Sequence, residues 1–123
     1  MIFIHFDVIA NKANTLGARS PSPEGRRLWN ALFTTYQGRV AVIADEGTSN
    51  DLIRDWLRIE GFKTSIVCIP TGITKSGMTT KGYAIWNLSA TIGKPHWYVD
   101  VDADSCAEVI RLGIPALLVA IPS

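Results

Sequence analysis

Apolar positions recur along this chain with two periods that take turns. Ile2, Ile4, Phe6 and Val8 interleave with Phe3, His5 and Asp7, a period of two that predicts an opening strand. A loop follows through Ser20. Ser22 and Pro23 then read as the N-cap and first residue of a helix whose stripe is Leu28, Leu32 and Tyr36 with Trp29 and Phe33, stopping before Gly38. A second strand is predicted from Val40 to Ala44. Thr48, Ser49 and Asn50 are candidate caps of a helix that buries Leu52, Ile53, Trp56 and Leu57 and stops at Gly61. A third strand is predicted from Ser65 to Ile69, closed by Pro70. After the loop from Thr71 to Thr80, a helix turns Ala84, Ile85, Leu88 and Ile92 inward and ends at Gly93. The last segment, from Trp97 to Ile121, is an apolar strand running into aspartates, a short helix, a Gly-Ile-Pro stop and a final strand from Ala116.

Strict alternation of strand and helix predicts an α/β fold: a Rossmann-like three-layer sandwich with a five-stranded parallel sheet covered on both faces. The favoured strand order sets the first and fourth strands side by side at the centre, with Asp7 opposite Asp100. With 123 residues and 47% hydrophobic content, residues 1–123 make one domain. The connections from Ile9 to Ser22 and from Thr71 to Thr80 are too short to fold into caps. Twelve basic and eleven acidic residues give a net charge of +1, so no nucleic-acid footprint stands out. Cys68 and Cys106 lack metal-ligand or disulfide spacing. The N-terminal run has no basic stretch and carries Asp7, which argues against a signal peptide, and no apolar stretch reaches membrane length. A cytoplasmic location is the resulting expectation.

The chemistry-bearing residues gather at predicted strand ends. Asp100, Asp102 and Asp104 would crowd at the carboxyl end of the fourth strand, on one face if extended, where a divalent cation would relieve their repulsion; the plainer reading makes one of them a helix cap. His5 reads as a core histidine satisfied by a neighbour, and Asp45 and Glu46 as turn acids. Gly72 to Thr79 has the spacing of a phosphate loop but carries Met78 where the lysine belongs. Lys81 is a first-turn residue with a sharper alternative role, pairing with Asp100 or a phosphate. Trp29, Trp56 and Trp86 read as core or core-edge, and Trp97 as partly exposed. Arg19, Arg26 and Arg27 are the one basic concentration, placed to steer a negatively charged partner.

This alternation, with the acid-ended strand, its helix and the Gly113-Ile114-Pro115 stop, resembles the haloacid dehalogenase-like superfamily over almost the whole chain. In texture, as in RSPSPEGRRLWNAL and HWYVDVDADSCAEVIRLGIPALLV, it looks most like small capless members encoded by actinobacterial phages. The resemblance implies a nucleophilic Asp ending the first strand, an acid/base Asp two residues on, a Ser or Thr ending the second strand, a Lys opening the third helix and magnesium-binding acids after the fourth strand. Here His5 stands at the nucleophile position and Asp7 at the second Asp, followed by Val8 and Ile9 in place of Gly-Thr. The hydroxyl position falls on Ala44, or on Asp45 if shifted by one. Lys81 fits the lysine, with Lys75 as a looser candidate; Asp100 fits the fourth motif, and Val101 takes a position often acidic. A retained fold with a decayed catalytic site follows: a protein-binding or structural module, in the host cytoplasm or the virion, its partner another protein such as a phage assembly or tail component. One rival is a magnesium-dependent phosphatase or phosphotransferase with Asp7 as nucleophile, Asp7, Asp100 and Asp104 around Mg2+ and Lys81 on the phosphoryl group. The other is a nucleotide- or anion-binding regulator using the same edge.

Overall fold

The computed structural model describes residues 1–64 and 66–121. In chain order, Ile2–His5 forms β1, Phe6–Ile9 a single helical turn α1, Pro23–Thr35 α2, Val40–Ile43 β2, Asn50–Glu60 α3, Ile66–Cys68 β3, Thr80–Ile92 α4, Trp97–Asp100 β4, Ala103–Arg111 α5 and Ala116–Leu118 β5. The sheet is parallel throughout, in the order β3-β2-β1-β4-β5. Ile4 pairs with Val42 on one side and Val99 on the other, so β1 and β4 are adjacent at the centre, as expected. The connection from β1 to β2 and the one from β4 to β5 run in opposite directions across the sheet, which opens a crevice at the carboxyl ends of β1 and β4.

Alternation within β1, β2 and β4 sorts side chains between two cores, while Leu117 and Leu118 on the edge strand β5 are exposed. Ile2, Ile4, Val40, Val42 and Val99 pack with Trp29, Trp56 and Leu57 of α2 and α3. Phe3, Ala41, Ile43 and Tyr98 pack with Ile85, Cys106 and Val109 of α4 and α5. Parallel strands buried on both faces are what crossover helices impose. The four longer helices begin on side-chain caps read from the sequence or adjacent to it: Ser22, Ser49, Thr79 and Asp102 each accept the backbone N–H three residues on. Of the three candidates before α3, Ser49 is the cap, and Gly61 ends that helix in the left-handed region.

Several expected elements come out differently. The opening strand stops at His5 rather than running to Val8, because the His5 ring caps the next turn by accepting the Asp7 N–H at 3.1 Å, and Phe6–Ile9 coils. Ser65, the expected start of the third strand, lies outside the described residues; β3 ends at Cys68, short of Ile69. The last strand likewise ends at Leu118, short of Ile121. Leu52 and Ile92, expected inward, are exposed; α4 instead buries Gly82, Ile85 and Ser89. Residues 10–21 form a loop closed at its base by an antiparallel bridge between Ala10 and Pro21, with Asn11 N donating to Ser20 O and Ser22 N to Ile9 O, both at 2.9 Å.

Candidate functional site

His5 occupies the centre of the crevice and is almost completely buried. Its surroundings fix its tautomer. Nδ1 accepts the Asp7 backbone N–H, so the ring hydrogen belongs on Nε2, which donates to Asp45 Oδ1 at 3.0 Å. The ring thus has no free lone pair. Asp45, read from sequence as a turn acid, is a member of the site because β2 ends beside β1 in register, His5 opposite Ile43.

Two further carboxylates flank the ring. Asp7 Oδ2 lies 3.7 Å and Asp100 Oδ1 3.8 Å from His5 Nδ1, so Asp7 and Asp100 do share this end of the sheet. Neither is idle. Arg19 Nη1 donates to Asp7 Oδ1 at 2.8 Å, and the exposed Lys12 ammonium sits 3.7 Å from Oδ2. Asp100 Oδ1 accepts the N–H groups of Val101 at 2.6 Å and Asp102 at 3.1 Å, while Oδ2 accepts the buried Tyr98 hydroxyl. Burial, then the Asp100 charge, pushes the Tyr98 phenol far up, keeping it a donor. Lys81, on the first turn of α4, completes the ring of charges at 3.2 Å from Asp45 Oδ1 and 3.8 Å from Asp100 Oδ2.

The other sequence candidates fall elsewhere. Asp102 is the α5 cap, accepting Ser105 N at 3.1 Å and Ser105 Oγ at 2.6 Å, and those bonds hold its carboxyl below the usual range. Asp104 is exposed on the first turn of α5 and lines an outer cavity of about 810 Å³ with Asp45, Lys81 and Glu108 instead of meeting Asp7. Three aspartates on one strand face are therefore not formed: β4 ends at Asp100 and the chain turns into α5. Lys75 lies over the Trp86 ring, 4.9 Å from its centre, away from the acids. The Gly72 to Met78 loop is braced on itself by Thr74 Oγ1 donating to Met78 O at 2.8 Å. Glu108, unmarked in the sequence, is buried and accepts both Thr79 N, at 2.7 Å, and Thr79 Oγ1, tying the start of α4 to α5. Only the burial of an acid on an apolar helix face could have flagged it. Arg19 joins the site, Arg27 is exposed, and Arg26 turns to α3, so the basic concentration is split.

Among the described residues, His5, Asp7 and Asp45 alone offer three metal-ligand atoms close enough for one ion. Magnesium demands oxygen ligands at about 2.0–2.1 Å in near-octahedral geometry, and neutral imidazole is a poor ligand for it. Here the His5 nitrogens are both used, and each carboxylate is already met by a cation or by hydrogen-bond donors. In this arrangement the donors do not fit that ion. What the constellation can do is hold β1, β2, α1 and α4 in fixed relation by charge-assisted bonds. No protein family, curated protein or solved structure matches the chain.

The His5 hydrogen bond, helped by Lys81 and opposed by burial, holds the Asp45 carboxyl well below the usual carboxylate range. A folded value below the unfolded one contributes stability above the unfolded value of about 4, and that contribution is lost as pH falls below it. The stability gap between wild type and Asp45→Asn should therefore be full near neutral pH and begin to close below about pH 4. Urea midpoints measured down the acid range check this; a gap independent of pH would contradict the pairing.

Proposed function

We propose that this chain is a haloacid dehalogenase-like domain without hydrolytic activity that works by binding another protein. The observation that carries the reading is the residue ending β1: His5, with both ring nitrogens engaged, at the position where the chemistry of that superfamily needs a free carboxylate. An acyl phosphate forms on a carboxylate oxygen, and a buried imidazole whose lone pair holds a backbone N–H supplies neither that oxygen nor a hard-cation ligand. Asp7 is the carboxylate that could substitute, and Arg19 binds it at 2.8 Å. A phage assembly or tail component, in the virion or the host cytoplasm, is the setting in which this reading places the chain. Among the described residues no helix is long and apolar enough to cross a membrane.

The second reading, a magnesium-dependent phosphatase or phosphotransferase built on Asp7, is favoured by the position of Lys81 beside Asp45 and Asp100. The two are separated by assay. With magnesium and either p-nitrophenyl phosphate or acetyl phosphate, turnover by the purified chain is expected to equal the buffer blank. His5→Asp alone should restore little, since Val8 and Ile9 replace the Gly-Thr turn and Ala44 the hydroxyl. Magnesium-dependent turnover that disappears in a folded Asp7→Asn variant would overturn the proposal and establish the enzyme.

A further inference from the structure

Arg26, grouped in sequence with Arg19 and Arg27, does not join the carboxyl-edge site: its Nη2 donates to Glu60 O at 2.8 Å and its guanidinium lies 4.4 Å from the centre of the Phe62 ring. It reinforces a second basic region. Where α3 ends, a cavity of about 620 Å³ is walled by the exposed cations Arg54, Arg58 and Lys63 over the buried side chains of Leu57 and Phe62. None of the described residues lining it carries a carboxylate. The helix C-terminus presents about half a negative charge, and Asp55 and Glu60 add two carboxylates on α3, yet Arg26, Arg54, Arg58 and Lys63 together leave the region net positive.

We propose that this cavity docks an acidic segment of a partner protein, with one apolar side chain of that segment against Leu57 and Phe62 and flanking carboxylates on Arg54, Arg58 and Lys63. The proposal rests on the binding-module reading and supplies the place and the partner's chemistry. Charge complementarity selects the occupant. Arg54 is oriented by its Nε bond to Asn50 Oδ1 at 2.6 Å, and Arg58 Nη2 lies 3.7 Å from the Asp55 carboxylate, the group that a partner's acid would present again. The aliphatic stems of the three cations extend the apolar floor, which suits a mixed acidic and apolar segment. A nucleic acid is the poorer occupant, because Asp55 and Glu60 on the same helix interrupt any track of phosphate contacts and the whole chain carries only +1.

The test uses the isotope-labelled full chain, followed by amide NMR during titration with a short synthetic peptide of Glu and Asp around a central Phe. Saturable shifts confined to residues 54–64 are expected, weakening as salt rises. Arg58→Glu combined with Lys63→Glu, both exposed and so compatible with the fold, should lower affinity by about tenfold or more, and a peptide of Lys around Phe should bind that variant better than wild type. The proposal is overturned if that segment does not shift, if the shifts centre on His5 and Asp45, or if a single-stranded oligonucleotide occupies the cavity more tightly than the peptide. Phosphate-ester hydrolysis with intact peptide binding would remove the non-hydrolytic reading alone. A silent cavity in an inert protein would remove only this proposal.

Discussion

Gly25→Ala is expected to destabilise the fold by about 3 kcal/mol or more, at the top of the range for overpacking a native contact. In an exposed helix the same change would help, since glycine costs roughly 0.5–1 kcal/mol relative to alanine there. Here the added Cβ would stand 2.0 Å from the Val8 carbonyl oxygen and 2.9 Å from Ile9 Cα. Both obstacles are backbone, so no side-chain rotation relieves them. Relief requires α2 to lift from α1, and α1 carries the Asp7 N–H that holds His5 and the Ile9 carbonyl that accepts Ser22 N. A fall in melting temperature of about 10 °C or more is the expected reading for a chain of this size. A near-wild-type melt would show that α1 and α2 separate at little cost.

Asp100→Ala is expected to cost about 3–5 kcal/mol, as for breaking a buried charged group away from its partners. The carboxylate is fully buried and accepts three donors, the Val101 and Asp102 N–H groups and the Tyr98 hydroxyl. Removing it strands the buried Tyr98 hydroxyl, at about 1–3 kcal/mol when left unmade, and takes the partner from two part-buried N–H groups. It also leaves Lys81 with Asp45 as its remaining carboxylate neighbour. Asp100→Asn should cost less, because its carbonyl can still accept the two backbone N–H groups while its amide cannot accept from Tyr98. Adding Tyr98→Phe to Asp100→Ala should recover part of the loss, a coupling measurable in a double-mutant cycle by denaturant midpoints. A loss below about 1 kcal/mol for Asp100→Ala would show that the carboxylate is not what organises the end of β4.

Strand-helix alternation, the helix starts at Ser22 and Ser49 and the stop at Gly61 were legible in the sequence because each is a local matter. A cap is a hydrogen bond across three residues, and a helix stripe repeats within one turn. The parallel sheet with β1 beside β4 also followed from the chain, since short crossover connections leave few orders. So did the meeting of Asp7 with Asp100, both at carboxyl ends of adjacent strands. The end of β1 was not legible: alternation ran on to Val8, and one bond from the Asp7 N–H to the His5 ring turned the chain into a helix instead.

Only the tertiary structure decided which charges meet. Asp45 lies forty residues from His5 and became its partner through strand register, while Asp104, in sequence a neighbour of Asp100, was carried outward by α5. Arg19 and Arg26 parted because the loop closed by Ala10 and Pro21 returns Arg19 to the crevice, whereas the first turn of α2 aims Arg26 at the end of α3. Leu52 and Ile92 satisfy helical spacing yet face solvent, since periodicity names a stripe and only the neighbouring layer sets how wide a stripe it covers. The sequence by itself determined the elements, their alternation and an imidazole within the first strand, because these depend on residue identity and on bonds between near neighbours. The pairing that ties up that imidazole, and the gathering of cations over Phe62, depend on contacts between distant segments that exist only once the sheet has formed.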